Sequence, residues 1–424
     1  MNEAPAVLIL GADGFIGRHI AFALRREGWR VLASARRTDR LARMGFDTLC
    51  ADLADPATHD PAFWAPHLRG VSYIVNAAGL LTGREAAFEA VHCKAPEALY
   101  RARPEGMPAL LLSAVGIDDA DTPFARYRRA GEAVAQRYGV TLLRPGLVLG
   151  DTSYGGSSLL RALAAMPLVM PVVGRGEQVF NPIHADDLAG VIRALLLDPP
   201  PPGPHEVGGP ERITLAGMQR AYRAWLGLRP VPLLRLPLPL AEAIGRIGDA
   251  LRIGPVSRTA VRQLSAGVEA HPDSATADSS PRPFSDFHRA RPAGTQDLWH
   301  ARLYLARPAL RLVLALMWLA SGLIGLSLPA EDFLPLVAGS GLGDTTLTAL
   351  ARLGGVADLA LGVALLRDWR PRLALWLQLA LVAGYTLAFT VMAPALWLLP
   401  LGGLLKNIPV LALIALHGLM QEER

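Results

Sequence analysis

Residues 7–17 read Val-Leu-Ile-Leu-Gly-Ala-Asp-Gly-Phe-Ile-Gly, an apolar run that ends directly in Gly11, Gly14 and Gly17 at three-residue spacing. The run predicts a strand. After it, Phe15, Ile16, Ile20 and Leu24 recur at helical period and predict a helix over 18–27. A strand that feeds a helix through such a loop has the local pattern of a dinucleotide site. Gly11 permits the tight turn, Gly14 lets backbone approach a pyrophosphate, and Gly17 lets the helix pack with its N-terminus toward the phosphates.

Outward from this loop, apolar runs near 7–10, 30–34, 47–50, 71–76, 109–113 and 140–144 alternate with helix-like segments. That alternation predicts an α/β fold, a doubly wound parallel sheet. Residues 146–230 hold shorter elements, a Gly174-Arg-Gly176 turn and a Pro-rich break at 199–204, and read as a small substrate lobe within a domain over 1–230. Residues 231–300 read as a helical and irregular linker. Within it Leu240, Ile244, Ile247 and Leu251 predict a helix that closes the domain, with a helix lying on a membrane as the alternative. The Pro-, Ser-, Asp- and Ala-rich stretch 271–297 predicts irregular chain.

The 424 residues are 51% hydrophobic and mean hydropathy is +0.29, with the excess concentrated after Pro308. Residues 301–424 therefore predict an all-α transmembrane domain with four spans, near 312–328, 347–366, 373–392 and 401–420. The first residues carry no basic run, so the glycine-loop domain is expected in the cytoplasm. Arg302, Arg307 and Arg311, then Arg367, Arg370 and Arg372, share one side of the membrane, opposite Glu331, Asp332 and Asp344. The positive-inside rule then predicts a multi-pass protein of a bacterial-type inner membrane with both termini cytoplasmic. Trp318, Trp369, Trp376 and Trp397 are read first as packing residues, with interfacial anchoring as the alternative.

The net charge of +5 comes from arginine, the only lysines being Lys94 and Lys406. No basic stripe is interleaved with aromatics, so nucleic acid is not an expected partner. Cys50 and Cys93 stand alone and far apart, which predicts neither a disulfide framework nor a metal site. Arg36 and Arg37 follow the second predicted strand, where a carboxylate would accept the ribose hydroxyls of NAD. Arginine suits a 2′-phosphate instead, and predicts NADP rather than NAD.

An ordered series continues along the chain: Asp52-Leu53, Asn76-Ala-Ala-Gly79, Ser113 and Leu143-Arg-Pro-Gly146, each after a successive predicted strand. With the glycine loop, this series resembles the extended and atypical short-chain dehydrogenase/reductases, the NAD(P)-dependent epimerase-like proteins, over about residues 5–225. The resemblance implies a Rossmann-type domain in which the loop residues Ala12, Asp13, Phe15 and Ile16 join Gly11, Gly14 and Gly17 around the cofactor. It also implies that Asp52 and Leu53 lie by the adenine and that Ala77, Ala78 and Gly79 line the cofactor. Pro145, Gly146, Leu147 and Val148 would approach the nicotinamide.

The same family places a Ser, a Tyr, and a Lys four residues after the Tyr around the nicotinamide. Ser113 fills the first position. The segment Phe124-Ala-Arg-Tyr-Arg128-Arg-Ala-Gly-Glu132 is similar to the family's helix and puts Phe124 in the tyrosine slot and Arg128 in the lysine slot. Arg128 still supplies positive charge and can donate to a ribose, with a rigid fork in place of an ammonium; Phe124 can move no proton. Tyr127 lies on nearly the same helix face, but its partner four residues on is Gly131, so packing is the preferred reading. Asn181-Pro-Ile-His184-Ala-Asp186-Asp187 also resembles the family; an Asp there is read as the cap of a helix over 188–196, and His184 as structural.

Residues 295–420 resemble the DoxX-like membrane family on Trp299-His-Ala-Arg302, Leu359-Ala-Leu-Gly362 and Lys406-Asn-Ile-Pro409. The resemblance implies quinone or sulfur redox chemistry by analogy. To cross about 30 Å as a helix the fourth span must begin near Leu401, which puts Lys406 inside the membrane with Arg352 and Asp358. These three are read as an intramembrane polar cluster, either snorkelling cations with an ion pair or a site for an amphiphile. The leading expectation is a membrane-anchored NADP-binding oxidoreductase or isomerase with a lipid-linked or quinone-like substrate. The alternatives are a non-catalytic NADP(H)-binding structural or regulatory module beside a membrane protein partner, and a transport or redox protein that senses NADP(H).

Overall fold

A computed structural model describes residues 4–254, 256–277 and 280–421. Seven parallel strands form the main sheet: β1 (Ala6–Leu10), β2 (Arg30–Ala35), β3 (Asp47–Cys50), β4 (Tyr73–Asn76), β5 (Ala109–Leu112), β6 (Thr141–Pro145) and β7 (Pro204–Val207). Their order is β7-β6-β5-β4-β1-β2-β3. All five residues of β1 are buried, as a strand covered on both faces requires. Val7 and Ile9 face one layer with Ile20 and Leu24 of α1 (Phe15–Arg26), while Leu8 and Leu10 face the other with Leu99 and Val134. Successive side chains of a strand point to opposite faces, so the unbroken apolar run 7–10 serves both layers.

The chain turns away from β1 in opposite directions toward β2 and β4, opening a crevice at the carboxyl ends of β1 and β4. Helix α1 begins at Phe15, three residues before the predicted start, so Gly17 already lies in its first turn. Edge strand β7 was not legible as a strand, because it opens on proline and continues with His205 and Glu206.

By its contacts the chain divides into two units, one of residues up to 241 together with 259–294, the other of 242–258 together with 295 onward. Residues of the stretch 231–300, read as a helical and irregular linker, contribute to both units. In the first unit Phe284 and Phe287 are buried with Leu149 and Tyr222, Arg282 Nε donates to Asp187 at 2.9 Å, and Asn181 exchanges two 2.8 Å bonds with Ala270. The cap of the helix Ala185–Leu197 also differs from expectation: His184, not an Asp, accepts from Asp186 N through Nδ1 at 3.2 Å. Asp186 faces His19 at 3.3 Å and Asp187 holds Arg282, so both carboxylates are engaged elsewhere.

In the second unit four helices are long and apolar enough to cross a membrane: Thr295–Ser327, Asp344–Leu366, Pro371–Met392 and Gly403–Met420. The first runs 33 residues, far beyond the expected 312–328. The last is completed by a tighter 3-10 stretch, Pro400–Lys406, ahead of the α-helix Asn407–Met420. At about 2.0 Å per residue that stretch adds the length a 14-residue α-helix lacks. Small residues bring the first two spans together: a methyl at Gly322 would meet Gly355 O at 2.7 Å, and one at Gly355 would meet Gly322 O at 3.0 Å. Close backbone approach, rather than a hydrophobic drive, holds helices together where the solvent is itself apolar. Trp318 is buried and donates to Gln378 Oε1 at 3.1 Å, Trp397 donates to Thr390 Oγ1 at 3.0 Å, and Trp369 and Trp376 are exposed.

Candidate cofactor and active site

The glycine loop closes on the end of β4. Gly11 holds φ +71°, and a Cβ there would sit 2.8 Å from Ala78 Cα, so conformation and space both demand glycine. A Cβ at Gly17 would collide with the Gly11 carbonyl, which lets α1 begin directly over the turn. Gly14 N donates back to Gly11 O at 3.0 Å, and Asp13 and Gly14 remain exposed at the helix N-terminus. Ala12 N is tied to Ser34 O at 3.0 Å and Ala77 N to Leu10 O at 3.1 Å, so the loop is fixed to β2 and β4 together. Phe15 and Ile16 are half-buried. The result is a backbone cradle, open at Gly14, of the kind that holds a pyrophosphate.

Around this cradle the structure gathers the other residues read from sequence. Arg36 and Arg37 lie exposed just past β2. Asp52 follows β3 and accepts from Ala54 N at 3.0 Å, while Leu53 beside it is buried. Ala77, Ala78 and Gly79 follow β4; Pro145 ends β6, with Gly146, Leu147 and Val148 half-buried behind it. One contributor escaped the sequence reading although it had a signal. Arg18, directly after Gly17, is pushed below its usual value by burial and then by the like charge of Arg40, with Asp13 opposing. Arg18 in the first turn of α1 and Arg40 in the short helix Asp39–Arg43 after β2 are like charges that act on each other, an arrangement that fits an anion.

Ser113 directly follows β5, with its backbone N–H on Leu143 O at 2.7 Å. Its hydroxyl is buried and finds no hydrogen-bond partner among the described residues. On the helix Pro123–Arg137, Arg128 Nη1 donates to Leu112 O at 2.6 Å, one residue before Ser113, and its Cζ lies 5.4 Å from the Phe124 ring centroid. Burial lowers the guanidinium to about 10, with Glu132 and Tyr100 opposing, so it stays charged at neutral pH. Tyr127 stacks on Phe88 at 5.5 Å, a packing role.

His92 was not legible, because nothing in its helix marks it as a neighbour of Gly79 and Arg128. Its Nε2 accepts from Leu80 N at 3.2 Å, and burial, then the charge of Arg128, push the imidazole down from 6.5 to about 3. The folded value lies below the unfolded one, so this contribution is complete above pH 6.5 and is lost as pH falls toward 3. His92→Gln is expected to flatten the acid limb of a urea-unfolding series on the whole protein in detergent. The difference from wild type grows to the order of 4 kcal/mol at the acid end; a difference independent of pH would contradict this account.

The three membrane residues do not assemble. Asp358, buried, accepts from Ser321 Oγ at 2.6 Å and Tyr385 Oη at 2.8 Å, while Arg352 donates to the carbonyls of Gly325 and Leu328, both at 2.7 Å. Lys406 is exposed, and among the described residues no ion pair joins it or Arg352 to Asp358. The reason is angular: six residues along a helix turn the side chain by about 600°, leaving Arg352 and Asp358 roughly 120° apart.

Residues 7–107 match the NAD dependent epimerase/dehydratase family, and residues 315–415 match the DoxX-like family. A ceramide reductase of Caulobacter vibrioides is 29% identical over 256 residues, covering 58% of this chain and 77% of that protein. A chloroplastic epimerase family protein of Arabidopsis thaliana is 25% identical, covering 59% and 80%. Among solved structures, UDP-glucuronic acid 4-epimerase from Bacillus cereus, in complex with UDP-glucuronic acid and NAD, aligns with a TM-score of 0.47 and 14% identity over 71% of this chain and 99% of that one. The chain thus joins an N-terminal segment that matches the NAD dependent epimerase/dehydratase family model to a C-terminal segment that matches the DoxX-like family model, and four of its helices are apolar and long enough to cross a membrane.

Proposed function

We propose that this protein is a membrane-anchored, NADP(H)-binding oxidoreductase that acts on a lipid-like carbonyl or alcohol. The observation that carries the reading is the Ser113 hydroxyl, buried without a partner among the described residues and next along the chain to Leu112, whose carbonyl takes the Arg128 guanidinium. An unsatisfied buried hydroxyl costs about 1–3 kcal/mol, and a substrate oxygen would satisfy it. The similarity to a protein named as a ceramide reductase supports a long-chain lipid as the substrate class.

The glycine cradle suits the pyrophosphate, and Arg36, Arg37 and Arg18 suit a 2′-phosphate. The bound nicotinamide supplies or accepts a hydride at the substrate carbon. In the reducing direction, Ser113 hydrogen-bonds the substrate oxygen and Arg128 offsets the negative charge that develops on it. The proton reaches that oxygen through the Ser113 hydroxyl from water, because Phe124 carries no group that can donate one. A positioned acid contributes about 10²–10⁴-fold, so turnover is slow by the standard of enzymes with a tyrosine in this slot. The arginines flanking the spans support a topology with the N-terminal domain and the C-terminus on the cytoplasmic side.

Phe124 also favours a second reading, in which the domain holds NADP(H) without turnover as a structural or regulatory module. Full-length protein in lipid nanodiscs separates the two. With membrane lipid extract as substrate, Ser113→Ala is expected to lower NADPH consumption by about 100-fold while leaving NADPH affinity unchanged. NADPH binding with no consumption by wild type would establish the second reading instead.

A further inference from the structure

We infer that the helix Leu238–Ala250 lies in the surface of the membrane, with Leu240, Ile244 and Ile247 inserted at the boundary between headgroups and acyl chains. The helix is inside out for a domain-closing helix. Its large apolar residues Leu240, Ile244 and Ile247 are 49%, 39% and 58% exposed, while the residues it buries are Ala241, Gly245 and Gly248.

At about 100° per residue the positions sort into three faces. Leu240, Ile244, Ile247 and Leu251 fall within one stripe about 60° wide. Ala241, Gly245 and Gly248 form a second face turned roughly 100° from it. That face has no room for side chains: a Cβ at Gly245 would meet Arg258 N at 2.9 Å, and one at Gly248 would collide with the Val256 carbonyl. Glu242, Arg246 and Asp249 take the remaining arc, opposite the apolar stripe. An apolar face, a charged face opposite and a docked flank suit a helix lying at an interface.

What covers the apolar stripe is indicated by where the helix ends. Arg311, at the start of the uncharged stretch of the first span, donates through Nη2 to the carbonyls of Leu251 and Arg252. Arg252, held at φ +51° as the helix stops, donates through Nη1 to Arg367 O at 2.9 Å, just past the second span, and Arg311 also meets Asp368 at 3.2 Å. The C-terminal end of the helix is thereby pinned to the ends of two membrane-crossing helices, at the level where bilayer gives way to water. A lipid surface is the apolar partner found at that level.

The test places a nitroxide label at single cysteines in full-length protein carrying Cys50→Ser and Cys93→Ala, reconstituted in vesicles of mixed phosphatidylethanolamine and phosphatidylglycerol. Labels at Ile244→Cys and Ile247→Cys are expected to collide several-fold more often with oxygen, which concentrates in lipid, than with a water-soluble nickel chelate. A label at Asp249→Cys should show the reverse. Equal access to the nickel chelate at all three positions would place the stripe in water and overturn the proposal. Protection of positions 244 and 247 from both reagents would mean a protein covers the stripe, which overturns it equally. Because every label replaces an exposed side chain, retained NADPH binding serves as the check that each variant is folded.

Discussion

Replacing Arg36 by Asp and Arg37 by Ser is expected to weaken NADPH binding by about 100-fold, the loss of two charge-assisted contacts to one phosphate at about 1.5 kcal/mol each. NADH binding should hold or tighten, because the new carboxylate can accept from ribose hydroxyls where the guanidinium could only donate. The two arginines stand exposed just past β2, where α1 and the loop bring Arg18 beside Arg40. Removing Arg36 and Arg37 leaves the glycine cradle untouched, so the change falls on the adenosine end of the cofactor alone. Isothermal titration of the purified protein with each nucleotide measures both affinities. If wild type binds NADH more tightly than NADPH, and the double variant alters neither, the arginines do not read the 2′-phosphate.

The sequence carried this site because its parts are local. A glycine loop, an apolar strand before it and a helix period after it occupy residues 7–24, and each later contributor sits just beyond the end of one strand. Strands β1, β4 and β5 were legible as short, largely apolar runs, and β2, β3 and β6 from their place in the alternation of strands and helices; β7 was hidden because Pro204, His205 and Glu206 make up most of it. Contacts between distant segments left no such trace. His92 reaches Gly79 and Arg128 only once β4 and two helices are in place, and Arg282 reaches Asp187 across 95 residues. The helix Leu238–Ala250 shows a different limit. Helical spacing of apolar residues predicts one apolar face, but it does not say whether protein or lipid covers that face. The glycines at 245 and 248 were the signal that the packed face lay elsewhere.

The largest stability loss is expected from Arg144→Met, at about 3–5 kcal/mol. Arg144, in the middle of the Leu143-Arg-Pro-Gly146 motif, is 8% exposed on β6, and Glu132 on the Pro123–Arg137 helix is 5% exposed. Nε meets Oε1 at 2.8 Å and Nη2 meets Oε2 at 2.6 Å, a two-pronged pair. Those bonds, then burial opposing them, leave Arg144 above its usual value. Asp118 accepts from Nη1 at 2.6 Å, but its side chain is 58% exposed and adds little. Deleting the guanidinium strands the Glu132 carboxylate in a nearly dry site, and that uncompensated charge, rather than the lost attraction, sets the cost. Arg144→Met combined with Glu132→Met removes both charges and should recover most of the loss in urea unfolding followed by NADPH binding. The pair also ties the helix that carries Phe124 and Arg128 to the strand that ends in Pro145. The single variant should therefore lose NADPH affinity at urea concentrations well below its unfolding midpoint, whereas the double variant should not. A cost below about 1 kcal/mol for Arg144→Met would mean that water reaches Glu132 and that the pair behaves as a surface bridge.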